Sequence, residues 1–152
     1  MNNQETISVL NDLLHITNDR IEGFERVEGK VWEMYSDLKG EYEQMISQTK
    51  IMKNELINLI TERGGKANDL PSTAGALHRA WIDIKNTFPG NRENATLENV
   101  VFGEETAINT YQEAIDSGHL RDESLEVVSE QLRNIKDSYN KFKNIAEYRK
   151  RS

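Results

Sequence analysis

Residues 30–63 read KVWEMYSDLKGEYEQMISQTKIMKNELINLITER, and their spacing decides the fold. Val31, Tyr35, Leu38, Tyr42, Met45, Thr49, Met52, Leu56 and Leu59 recur at alternating steps of four and three. That rhythm lays a single stripe along a helix of 3.6 residues per turn, the seam of a helix packed in a bundle. A helix over about 30–63 would measure roughly 50 Å. The pair Gly64-Gly65 then provides its C-terminal stop.

The same rhythm appears on either side. Before this stretch, Ile7, Leu10, Leu14, Thr17, Ile21 and Phe24 predict a helix over about 4–27. Asn2 or Asn3 can cap it, Gly23 is tolerated inside it, and Gly29 marks its exit. Beyond it, Leu97, Val101, Glu104, Ile108, Tyr111 and Ile115 predict a helix over about 93–117, with Val100 and Ala107 beside the stripe and Asn94 as cap. Leu125, Val128, Leu132, Ile135, Tyr139, Phe142 and Ile145 predict another over about 121–148, opened by Asp122 and Glu123 at the positive end of its dipole. The only two prolines, Pro71 and Pro89, bracket the middle of the chain. Between them Leu77, Trp81, Ile84 and Phe88 predict a shorter helix over about 73–88. No window alternates as a half-buried strand does.

Short connections make antiparallel neighbours. The expected architecture is therefore all-α: two antiparallel hairpins, about 4–63 and 93–148, docked as a four-helix bundle in a single domain over 1–152. One long crossover carrying the short helix joins them, which is the connectivity of ferritin-like bundles. Its Leu77, Trp81 and Ile84 are expected to lie against the side or end of the bundle.

Composition narrows the function classes. There are 26 acidic and 19 basic side chains, for a formal net charge of -7. With no basic patch, nucleic acid and anionic membranes are disfavoured as partners. No cysteine is present, which excludes disulfides, thiolate metal sites and a thiol nucleophile. The opening Met1–Glu5 is polar, and no apolar run approaches the length of a bilayer span, so the expected compartment is the cytoplasm.

Asn18-Asp19-Arg20-Ile21-Glu22-Gly23-Phe24 (NDRIEGF) and the crossover segment 75–85 (GALHRAWIDIK) carry a family likeness. It extends through Glu55-Leu56 with Gly64-Gly65, Gly103-Glu104-Glu105 with Tyr111, and Gln131-Leu132 followed by Ile135-Lys136. In these segments the chain resembles a bacterial family of ferritin-like four-helix-bundle proteins of unknown function, over essentially its whole length. The resemblance implies a ferritin-like bundle in a bacterial cytoplasmic protein. It implies no activity.

A carboxylate di-metal centre in such a bundle takes a Glu from each of two helices and Glu-x-x-His from each of the others. Here His15, His78 and His119 are the only histidines, and none completes that pair. Asp12-x-x-His15 and Asp116-x-x-His119 come nearest, and Tyr139 stands where the last helix would offer a histidine. One fragment remains: Glu104 on the seam with Tyr111 two turns on, which puts both on one face. The simpler reading is a buried glutamate hydrogen-bonded to a core tyrosine. Counting back across the turn at 118–120 puts Glu104 level with about Ile135 and Thr17 level with the region of Tyr42, so the polar seam residues are expected to be scattered. Glu22, Glu104, Glu105 and Tyr111 are the metal candidates if a transition metal binds; no cofactor is expected. Asp19, Arg20 and Glu22 are expected to form ion pairs, each worth a few tenths of a kcal/mol if exposed, and a site pairing His15 with Glu22 is the weaker helix-borne alternative. For His78-Arg79-Ala80-Trp81 an anion site competes with the plainer reading of Trp81 as an apolar anchor.

No phosphate loop, nucleophile elbow or Ser/His/Asp pattern occurs, which disfavours a conventional enzyme. Three functions stay open. The first is a non-catalytic bundle working through protein contacts, self-association into a dimer or higher oligomer included. It would use off-stripe apolar residues such as Leu13, Ile16, Ile46, Ile51, Ile57, Ile60 and Phe102. The second is an unconventional carboxylate metal protein linked to stress handling. The third is a bundle holding a small apolar ligand between its hairpins.

Overall fold

The computed structural model describes residues 3–34, 39–70 and 92–151, with side chains over 3–25, 39–70 and 100–148. Four helices account for nearly all of them: α1 (Asn3–Met34), α2 (Lys39–Glu62), α3 (Arg92–Asp116) and α4 (Asp122–Arg151). There is no strand among the described residues. The expected helix over 73–88, with Leu77, Trp81, Ile84 and the neighbouring His78, lies outside them.

α1 packs along α2 and α3 along α4, as the two hairpins expected. The hairpins meet through α1 against α3 and α2 against α4. Contacts fix the directions. On α1, Thr6, Thr17 and Arg20 meet His119, Tyr111 and Glu104, in descending order along α3 and the turn after it. On α2, Glu41 and Met52 meet Lys141 and Gln131, again in descending order. Each hairpin–hairpin contact is thus antiparallel, so α2 and α3 run the same way. The end of α2 and the start of α3 therefore lie at opposite ends of the bundle, and the connection between them has to cover its length.

The first residues of that connection lie along α1. Gly64, at φ +78°, ends α2, with Gly64 N–H donating to Thr61 O and Gly65 N–H to Ile60 O. This left-handed helix cap is what the glycine pair predicted. Gly65 sits against Ile7, so close that a Cβ there would come within 2.8 Å of Ile7 Cγ2. Asn11 then accepts from Asn68 N–H and donates to Lys66 O. His15 bonds Leu70 O, and Asn18 donates to Asp69, which also pairs with Lys53 at 3.1 Å. The side chains of α1 thereby take up backbone groups that a non-helical segment would otherwise leave to water.

Two helix boundaries differ from expectation. α1 continues through Gly23 and Gly29 to Met34, and α2 begins at Lys39, not near residue 30. An interior glycine costs about 1 kcal/mol, which a well-buried helix face outweighs. The apolar stripe also runs unbroken from one helix into the next, so periodicity did not register the reversal between them. α3 starts before the expected cap Asn94, which lies inside the helix.

The core runs the length of the bundle through Leu10, Leu14, Leu56, Ile60, Ala107, Val128 and Ile135. It is wider than the stripes suggested, because Leu13, Ile16, Ile46 and Ile60 are buried in it and are not spare contact residues. Ile51 and Phe102 do face out, at 62% and 50% exposure. Leu125, expected on the seam, is exposed. Toward the far end of the bundle Phe24, Tyr42 and Phe142 pack together, with ring centroids 5.0–6.1 Å apart.

Candidate functional site: a polar layer inside the bundle

Between the aliphatic part of the core and this aromatic cluster lies a layer of polar side chains. Its centre is Arg20 of α1 with Glu104 of α3. Arg20 Nε donates to Glu104 Oε1 at 2.7 Å and Nη2 to Oε2 at 2.8 Å, a two-pronged pair. The side chains are 2% and 0% exposed. The third guanidinium nitrogen points at Met52 Sδ, 3.9 Å away, and the guanidinium carbon lies 5.6 Å from the ring centre of Phe24, one turn along.

Arg20 thus forms the ion pair expected of it, but inside the core, where the small value of an exposed pair does not apply. Leu13, Thr17, Arg20 and Phe24 are spaced 4, 3, 4 and all are buried, so the inward face includes Arg20. Burial by itself lowers the pKa of a guanidinium. The charge and hydrogen bonds of Glu104 outweigh it, aided by Tyr111, so the Arg20 pKa stands above its ordinary value. Asp19, next in sequence, is buried as well.

Tyr111, two turns beyond Glu104, does not bond that carboxylate. Its hydroxyl donates to Gln131 Oε1 at 2.7 Å and lies 3.3 Å from Thr17 Oγ1. Burial pushes the phenol's pKa up to about 12, against the opposing effects of Thr17 and of Arg20's charge. Gln131 Nε2 in turn donates to Met52 O and to Glu55 Oε1, both at 3.0 Å. Thr17 and Thr49 are capped by Leu13 O and Met45 O of their own helices. The seam residues are thus not scattered. Because Ile7 meets Gly65 and Arg20 meets Met52, Thr17 lies level with the part of α2 beyond Met52, not with Tyr42. Tyr111 facing Gln131 likewise carries Glu104 past Ile135 toward Ser138.

The metal candidates do not converge. Glu104 and Tyr111 share the core; Glu105 is exposed and Glu22 is half-buried on the flank of α1. His15 is engaged with Leu70 O, and His119 pairs with Glu5 at 2.9 Å at the α3–α4 turn. Among the described residues no group of three or more His, Asp or Glu is placed to hold a metal ion. On the outside, Glu55, Glu123, Glu126, Val127, Ser129, Glu130 and Arg133 line an open acidic groove of about 590 Å³ between α2 and α4. Arg133 there is bound by Glu130 at 2.7 Å. No described helix is long and apolar enough to cross a membrane.

Residues 5–117 match a family described as Domain of unknown function (DUF2383). That is most of the chain, and the chain belongs to this family. No curated protein and no solved structure matches it.

Proposed function

We propose that this chain, as a member of the DUF2383 family, is a non-catalytic helical module that works through protein contacts, self-association included. The observation that carries this reading is the occupancy of Glu104 by Arg20. Both carboxylate oxygens of the central glutamate accept from one guanidinium. A metal ion at Glu104 would have to displace that cation and then share a desolvated site with it, which like-charge repulsion opposes. Tyr111 is similarly committed to Gln131. At the centre of the layer, both oxygens of Glu104, the Tyr111 hydroxyl and the Gln131 amide all have partners within the bundle, which supports a structural rather than a ligand-binding role.

The antiparallel pairing of α1 with α3 and α2 with α4 supports a ferritin-like reading of the connectivity. Bacterial origin and cytoplasmic residence rest on the family resemblance. Contact surfaces would come from the outer faces, where Ile51 and Phe102 stand exposed on α2 and α3.

Light scattering on a concentration series, with Fe, Mn and Zn titrations on the same preparation, tests this function. Reversible association with no stoichiometric metal uptake is the expected result. A strict monomer that binds one of these metals stoichiometrically would overturn it in favour of the carboxylate metal protein.

A further inference from the structure

Apolar periodicity orients a helix but does not position it along its axis. The facing seams of α1 and α3 both repeat at about seven residues, so sliding one hairpin along the other by two turns restores an apolar match. Such a slide moves the helices by about 10 Å. It would set Leu13 or Val27, in place of Arg20, opposite Glu104. Something in this bundle has to separate these near-equivalent dockings.

Most of the polar core is indifferent to the choice. Thr17 bonds Leu13 O, Thr49 bonds Met45 O and Tyr111 bonds Gln131, each within its own hairpin. The Thr17–Tyr111 hydroxyl contact does cross between hairpins, but at 3.3 Å it joins two neutral groups that each keep a shorter bond inside their own hairpin. Gln131 does cross between hairpins, but to a backbone carbonyl, which every residue offers, and to the surface carboxylate of Glu55. Arg20 and Glu104 differ from these. They are charged, fully buried and on opposite hairpins, and each satisfies the other through two hydrogen bonds. In any slipped docking both charges would be buried without a counterion.

We propose that the Arg20–Glu104 pair is a register lock: it selects the axial position in which the two hairpins dock, and it contributes this specificity in place of stability. Apolar side chains of similar volume at both positions would keep the bundle folded while removing the penalty on slipped dockings.

The chain has no cysteine, so Ser8→Cys and Glu113→Cys, both at exposed positions on α1 and α3, introduce a unique pair for spin labels. The distance distribution is measured by pulsed dipolar spectroscopy in the otherwise unaltered chain and in two double variants, Arg20→Met with Glu104→Leu and Arg20→Leu with Glu104→Met. The expected result is one narrow distance with the pair present. Without it, a second population displaced by a heptad slide appears, in protein that still unfolds cooperatively at a midpoint no lower than the parent's. A single unchanged distance in both double variants would show that register is set elsewhere. Double variants that unfold as readily as Arg20→Ala would show that the pair is a stability element; either outcome overturns the proposal.

Discussion

Tyr111 and Gln131, on adjacent helices of one hairpin, are joined by a 2.7 Å hydrogen bond that water does not reach. Removing the hydroxyl in Tyr111→Phe leaves Gln131 Oε1 buried without its donor. The expected loss is about 1–3 kcal/mol, read as a lower denaturation midpoint at unchanged slope.

The same phenol gives a signature in alkali. Its folded pKa is about 12, above the 10.0 of a free tyrosine. The folded state therefore holds this proton more tightly. The stability it contributes is fully present below pH 10 and is lost as pH rises toward 12, by on the order of 2–3 kcal/mol. Tyrosinate absorbance should show a step in this raised range that Tyr111→Phe removes.

Either half of the central ion pair alone is a burden. Arg20→Ala or Glu104→Ala leaves one buried charge uncompensated, with an expected cost of about 3–5 kcal/mol, measurable by denaturant unfolding. The two single substitutions should be strongly non-additive, since the second removes the charge that the first stranded.

The segment that leaves α2 should respond to acid. Asn18's hydrogen bond holds the Asp69 carboxyl below its usual pKa against the opposing effect of burial, and Lys53 adds to the lowering. A depressed folded pKa contributes stability above the unfolded carboxylate pKa and loses it as pH falls through the folded value. Amide exchange at residues 66–70 should accelerate over that acidic range before the helices respond. Asn18→Ala should raise the pH at which it begins.

Close packing at the α2 cap is testable at two neighbouring glycines. Gly64→Ala forces an L side chain to φ +78° and should cost about 1–2 kcal/mol. Gly65→Ala instead brings a Cβ to 2.8–3.0 Å from three atoms of Ile7, a β-branched side chain with little rotamer freedom, so its cost should be relieved by Ile7→Ala. Thermal unfolding of the four variants separates strain from collision.

Much of this was legible in the sequence, because burial follows the 3.6-residue period wherever the side chains are apolar. Leu10, Leu14, Met52, Leu56, Val128 and Phe142 all lie where the stripes put them. The turn between α1 and α2 was misplaced because the seam crosses it in phase. Arg20 does not show in the apolar stripe because it is charged, although it stands three residues after Thr17 and four before Phe24 on a buried face. The lone carboxylate of Glu104 on the opposing seam was the clue that a cation had to be near it. Gln131 was hidden in the same way, between Val128 and Ile135 at steps of three and four.

The helix directions give the molecule a mechanical character. α4 runs antiparallel to both α2 and α3, and hence alongside α1 in the same sense. Asn3 and Arg151 therefore stand at opposite poles. Tension applied between them loads the hairpin interface in shear along the helix axes and does not peel it open turn by turn. Sliding under that load has to pull a guanidinium off a carboxylate in a medium without water, so the charged contact that resists from inside the core lies at the level of Arg20 and Glu104.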